Sequence, residues 1–487
     1  MGRKELGGVL SVLLAVSVGA CASTPFRGPE QGGPDWLEAR SAHFRLFTSQ
    51  GESRARDALS ELEQTHAVFE QVAFPSTESP PGITEIVVLP AEDFDALAAA
   101  GATQAWAAAY FQSGRAGMAS RMVVRGDLGD QAFGMFQHEL THRFVAFHFP
   151  NAPVWLNEGL ASFWQTLEVR GGVAYFGGEV QTTVEPTPFR ELVTLGAAEF
   201  YAEDRTTVEE NYVAASALTR VLYFEHRRAF NDYLNALKSG QTTPAQAWHR
   251  ATSTELPQIE TDLASFFSEH GTLGELAAPK TEPLVDVAPV DASDVHVLWA
   301  SLWPGWRSTR PAVEEQLATA LKLDPRSLDA LVTQATVALQ AHEPDVARAA
   351  LEHALRLAPM RAKVLTAALE YSLISGQELH VSKAQLAHRL SKFQLTPPQL
   401  LVLGSYLGST EQVDQAIELM TRAVRLDSSC FDCYALGSAL LARRGDWKAS
   451  VAAYRVAVLL AGDNFSERER ARLLELEAAA VRYGEEN

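Results

Sequence analysis

The sequence predicts an α+β domain followed by an α-helical solenoid of repeats. Residues 42–48 alternate apolar and polar side chains with a period of two, and 83–89 form an apolar, β-branched run stopped by Pro90. Both patterns suit strands packed in a sheet. In the C-terminal third, Ala320-Leu-Lys-Leu-Asp-Pro325 is echoed 34 residues later by Ala354-Leu-Arg-Leu-Ala-Pro359. Ala423-Val-Arg-Leu-Asp427 and Ala457-Val-Leu-Leu-Ala461 repeat the same interval. Such a period marks stacked supersecondary units, none of which buries its apolar face alone. At 487 residues the chain needs more than one core.

The elements follow in order. Arg3 and Lys4 precede an apolar run over 8–19, too short to cross a bilayer, which reads as the core of a signal peptide. The run ends in Val18-Gly19-Ala20-Cys21, which resembles the lipobox of bacterial lipoproteins. That resemblance implies cleavage before Cys21, lipidation of Cys21 and a membrane-anchored protein of the cell envelope. Ala22 in the next position implies the outer membrane and periplasm. A plain secretory signal with an incidental cysteine is the alternative. Residues 22–35, rich in Ser, Thr, Pro and Gly, are expected to be a flexible tether.

Residues 36–270 are expected to form the α+β domain. Helical periodicity covers 52–72, further strands are expected over 104–111 and 118–125, and a helix runs from about 130 to 147. Pro150 and Pro153 break the chain before another helix near Trp155. Amphipathic helices are expected over 209–226, 229–238 and 256–270. Residues 271–294 carry no sustained period and read as a linker, and 295–480 hold the repeats. A net charge of −19 argues against a nucleic-acid partner, because phosphate binding relies on clustered Lys and Arg.

The chemistry concentrates in two segments. Residues 138–142 read His-Glu-Leu-Thr-His, and Glu158 follows sixteen positions after His142 within Trp155-Leu-Asn-Glu-Gly-Leu-Ala161. Histidines four apart share one helix face and can reach one Zn²⁺. Glu139 stands about 100° round from His138, in reach of a metal-activated water as its general base. Glu158 is the expected third ligand, and an open fourth position would make the site catalytic. His148 is a competing ligand, although its place in Phe147-His-Phe-Pro150 suits a helix end.

HELTH with WLNEGLASFW resembles the gluzincin metallopeptidases, and the second segment is close to that of the aminopeptidase N family and its small peptidase-MA-like relatives. The resemblance implies a zinc metallopeptidase with a small mixed sheet, acting on a peptide or protein substrate. It also implies that strand 118–125 offers a free edge for peptide addition, and that Tyr212 donates to the oxyanion. A core aromatic is the alternative for Tyr212. The loop between His142 and Glu158 is shorter than in aminopeptidase N, and no Gly-x-Met-Glu-Asn segment occurs near Gly117, so endopeptidase action stays as open as aminopeptidase action.

The 34-residue echoes, with Gly445-Asp-Trp-Lys448, Ser450 and Tyr454 before Ala457, resemble tetratricopeptide repeats. That resemblance implies a concave surface for a protein partner. Cys430 and Cys433 stand in a C-x-x-C among helical repeats, where a local structural disulfide is expected over a redox or metal site. The functional expectation is an exported zinc metallopeptidase with a repeat array. Its alternatives are an envelope-associated scaffold with a non-catalytic metal site, and a zinc hydrolase of non-peptide amides.

Overall fold

The computed structural model describes residues 26–75, 78–101, 109–112, 121–126, 130–178, 184–201, 204–239, 242–266, 273–303, 309–461 and 467–483. The expected signal peptide and Cys21 lie outside them.

A six-stranded sheet holds β1 (Leu37–Arg40), β2 (Phe44–Thr48), β3 (Thr84–Leu89), β4 (Ala109–Gln112), β5 (Arg121–Arg125) and β9 (Asp286–Pro289). Its order is β4-β5-β3-β2-β1-β9. The strands β2, β3 and β5 run parallel, with Phe44 opposite Thr84 and Glu85 opposite Arg121, while β1, β4 and β9 pair antiparallel. The period-two alternation divides its side chains as strand geometry requires. Phe44, Leu46, Ile86, Val88, Met122 and Val124 join the main core on one face. Phe47, Val87, Leu89 and Val123 join a second core on the other. A small sheet adds β6 (Glu168–Arg170), β7 (Val173–Phe176) and β8 (Gly274–Ala277) in the order β6-β7-β8.

Around the sheets lie α1 (Glu52–Val68), extended by a π-helical turn over Phe69–Ala73, then α2 (Ala91–Ala99), α3 (Asp130–His148) and α4 (Val154–Trp164). Two single turns, α5 (Phe189–Leu192) and α6 (Ala197–Phe200), precede α7 (Arg205–Phe224), α8 (Arg227–Ser239), α9 (Pro244–Thr252) and α10 (Leu256–Phe266). The C-terminal helices are α11 (Ala292–Leu302), α12 (Arg310–Leu323), α13 (Leu328–Gln340), α14 (Pro344–Leu357), α15 (Ala362–Ile374) and α16 (Lys383–Leu390). They continue with α17 (Pro397–Ser409), α18 (Val413–Leu426), α19 (Phe431–Arg444), α20 (Trp447–Ala461) and α21 (Glu467–Tyr483). They pack as successive pairs, α11 on α12 through α19 on α20. The echoed alanines 320, 354, 423 and 457 are all buried, so the repeat places a small residue where paired helices approach. These pairs form a tetratricopeptide-like scaffold.

The expected division into an α+β domain followed by a solenoid is corrected. Among the described residues the chain is mainly helical, with 21 α-helices against nine strands of at most six residues. The segment 271–294, expected as a linker, supplies β8 to the small sheet and β9 to the edge of the large one. Immediately afterwards α11 buries Val295, Trp299 and Leu302 against the second face of the large sheet. The first repeat helix is therefore a layer of the sheet structure itself. The array also returns to the main core through Leu459 of α20.

Two further expectations are revised. The described part of the 22–35 tether is docked: Phe26 stacks on Trp299 at 4.6 Å and Glu30 meets His296 at 3.0 Å. Strand 118–125 begins at Arg121 among the described residues and is interior, flanked by β3 and β4, so its edge is not free. Buried Arg121 contacts Glu85 at 3.1 Å across that register and donates to Ser301 Oγ of α11 at 2.7 Å.

Candidate metal centre

The centre is built by two consecutive helices and one loop residue. The α3 helix presents His138 and His142 on one face, with ring centroids 4.7 Å apart. Its other faces are core, through Phe136, Leu140, Phe144 and Val145. Thr141 is buried and donates to the Gln137 carbonyl at 2.8 Å. After the turn at 149–153, every residue of α4 is buried. Trp155 stacks at 6.0 Å on Tyr233 and meets Trp248 edge-on. Gly159 lets α4 lie against α7, since a Cβ there would fall 2.2 Å from Thr219 Oγ1. This close packing drives Glu158 inward.

His138, His142 and Glu158 come together with ligand atoms within 4.8 Å of one another. Glu158 Oε2 lies 3.4 Å from His138 Nε2 and 3.6 Å from His142 Nε2. His138 Nδ1 faces Gln165 Oε1 at 3.2 Å, a bond that places its proton on Nδ1 and turns the Nε2 lone pair toward the carboxylate. Oε2 is buried without a hydrogen-bond partner, and so is His142 Nδ1. An orphaned carboxylate oxygen facing two imidazole nitrogens fits a divalent cation, because a buried charge needs a partner. Burial pushes the Glu158 carboxyl up, yet His142, His138 and the Tyr201 hydroxyl together bring it down to about 2.

Tyr201, just past α6, donates its hydroxyl to Glu158 Oε1. No motif spacing marks Tyr201, and only the fold of the 184–201 segment brings it here. Tyr212 on α7 lies beside the centre, its ring 6.5 Å from His138 and 5.4 Å from Phe200. His148 is excluded from the ligand set: its ring stacks on Phe74 at 5.8 Å, and burial with Lys238 nearby lowers it to about 4.

Glu139 and His142 line one cleft with Met122, Phe136 and Arg143. Ser429 and Leu460 of the array line it too. Arg143 donates to Thr84 Oγ1 at 2.8 Å and to the Gly82 carbonyl at 2.7 Å, fixing the turn at the cleft wall. Asn157 Nδ2 approaches the Leu459 carbonyl at 3.5 Å, so the array backs the ligand helix directly. The disulfide Cys430–Cys433 closes the first turn of α19, one residue beyond Ser429.

A Zn²⁺ held by His138, His142 and Glu158 would supply an activated water and a Lewis acid. For their part, Gln165 orients His138, Tyr201 holds Glu158, and Glu139 stands in the cleft where a proton can be taken and returned.

No family model matches the chain, and no curated protein does. The solved structures that match include pilF of Pseudomonas aeruginosa, at 21% identity, covering 40% of this chain and 89% of that one with a TM-score of 0.30. Human IFIT1 in a dimer with m7Gppp-AAAA matches at 10% identity, covering 55% of this chain with a TM-score of 0.33. This chain spans 63% of the IFIT1 chain. Such scores transfer neither protein's activity. The gluzincin resemblance is corrected: HELTH and WLNEGLA bring no family match with them, and the structures that match the chain include pilF and IFIT1. His138, His142 and Glu158 are nonetheless brought together, with Glu139 in the adjoining cleft.

Proposed function

We propose that this chain is a tetratricopeptide-like scaffold that holds a protein partner or substrate beside a zinc centre, and that the centre hydrolyses peptide bonds. The observation that carries the hydrolytic half is the buried Glu158 carboxylate facing Nε2 of both His138 and His142, with Glu139 in the adjoining cleft. A purely structural site has no use for that glutamate. Tyr212 would steady a developing oxyanion from α7. The net charge of −19 disfavours a nucleic-acid partner. The lipobox at Cys21 would anchor the protein to a membrane of the cell envelope.

The scaffold half stands on the more extensive structure, and one observation favours a scaffold whose metal is non-catalytic. Ser429 and Leu460 of the array line the same cleft as Glu139, narrowing access to it. Zinc-loaded protein, incubated with denatured proteins and separately with cell-wall fragments, separates these readings. Peptide cleavage that falls by roughly 10²–10⁴ in Glu139→Gln, with zinc content unchanged, supports the peptidase. Cleavage of wall amides alone makes it a hydrolase of non-peptide amides. Identical inactivity of wild type and Glu139→Gln leaves the scaffold.

A further inference from the structure

Tyr201 belongs to two parts of the molecule at once. Its hydroxyl holds Glu158, and its ring packs both against the main core and against the cluster of Val451, Tyr454 and Val458 of α20 with Leu476 of α21. The α6 turn that presents it spans four residues, too few to hold a helix on its own propensity. The carbonyls at the end of such a turn have no partner inside the helix. Here two consecutive ones are taken up by side chains from distant elements. Asn211 of α7, 1% exposed, donates Nδ2 to the Phe200 carbonyl at 2.9 Å, and its Oδ1 accepts from Thr187 Oγ1 at 2.6 Å. Arg470 of α21, at the end of the array, donates Nη2 to the Tyr201 carbonyl at 3.2 Å.

These two carbonyls flank the Cα of Tyr201. Each belongs to a planar peptide unit, so holding both units fixes φ and ψ between them and the direction in which the side chain leaves the backbone. That direction decides whether the hydroxyl reaches Glu158. Tyr201 stands at φ −93° and ψ 52°, outside the main helical and extended regions, so local preference does not keep it there. Asn211 fixes the first unit, and the second depends on Arg470.

We propose that Arg470 is a positioning residue for the metal centre: α21 of the array fixes Tyr201, and through it the oxygen that Glu158 turns to His138 and His142. The inference rests on the metal reading of those three residues. It makes the far end of the array part of the centre, beyond the support given by Leu459. Displacing α21 would release Oε1 of Glu158 and free the carboxylate to rotate.

Zinc affinity of the full chain, read by chelator competition without turnover, tests this in a double-mutant cycle. Arg470→Met keeps the apolar stem and removes the guanidinium. It should weaken zinc binding at least about tenfold, the size of outer-shell losses. Arg470→Lys, which can still donate to the carbonyl, should recover most of that loss. In a Tyr201→Phe background, Arg470→Met should add almost nothing, because the hydroxyl it positions is gone. An equal loss in both backgrounds, or unchanged affinity in folded Arg470→Met, overturns the proposal. Wild type that binds no zinc would sink the metal reading instead, and the metal-free chain then decides on Arg470. There, Arg470→Met should lower the denaturant midpoint less in Tyr201→Phe than in wild type, and equal shifts overturn the positioning role.

Discussion

Tyr201 donates its hydroxyl to Oε1 of Glu158, which leaves Oε2 as the oxygen facing both imidazoles. The tyrosine thus decides which lone pairs of a fully buried carboxylate are available. Tyr201→Phe should keep the fold and weaken zinc binding by about 10- to 100-fold, as outer-shell losses do. Competition with a chromogenic chelator measures this, and unchanged affinity would show the bond to be incidental.

Gly159 is required by packing. A Cβ there would lie 2.2 Å from Thr219 Oγ1 and 2.6 Å from the Ala215 carbonyl oxygen, and backbone cannot yield cheaply. Gly159→Ala should destabilise the protein by about 1–3 kcal/mol and loosen the neighbouring Glu158 with it. Gly437 offers the contrast: its nearest foreign atom would be Met420 Cβ at 3.5 Å. Gly437→Ala should be neutral or stabilising by up to about 1 kcal/mol, since it removes a glycine from inside α19. Denaturant melts of the two variants check both signs.

Burial, with Asp432 nearby, pushes the Glu370 carboxyl on α15 up to about 7 from an ordinary 4.5. Between those values the folded chain holds a proton that the unfolded chain has lost. The stability from this group is full below about pH 4.5 and disappears as pH rises through 7. Wild type should lose up to about 3 kcal/mol more than Glu370→Gln between pH 5 and pH 7.5. Parallel stability curves for the two proteins over that window would refute it.

Leu459 ties the array to the ligand helix, buried in the main core while its carbonyl faces Asn157. Leu459→Ala should cost about 2–5 kcal/mol. Zinc release and loss of array helicity should move together to lower denaturant. Separate transitions would mean that the array and the centre unfold independently.

How much of this was legible in the sequence depends on which atoms make each contact. The interior strands β2 and β3 and the repeats announce themselves, because their side chains are sorted between core and solvent. The neighbourhood of His138 and His142 is legible too, because residues four apart share a helix face, and Glu158 comes to lie beside them. By contrast, β9 is mostly exposed and pairs through its backbone, so Asp286–Pro289 looks no different from a linker. The union of sheet and array was hidden for the same reason: Trp299 reads as an ordinary helix-face aromatic until its neighbours are seen. Tyr201 reaches Glu158 only through tertiary folding, and sits at no telling interval from it.

The pairing of β1 with β9, Leu37 opposite Pro289, sets an order of events during translation. A strand that leaves the ribosome near residue 40 must wait for one near residue 288 before its outer edge is covered. The helix carrying HELTH emerges between them, and its support at Leu459 comes later still. Domains ordinarily fold as they emerge, but here the helix that carries Glu158 gains its backing only after residue 459 has emerged. Any metal taken up by these residues would therefore be loaded after that point, and a chain cut short before it would present its histidines without the carboxylate held in place.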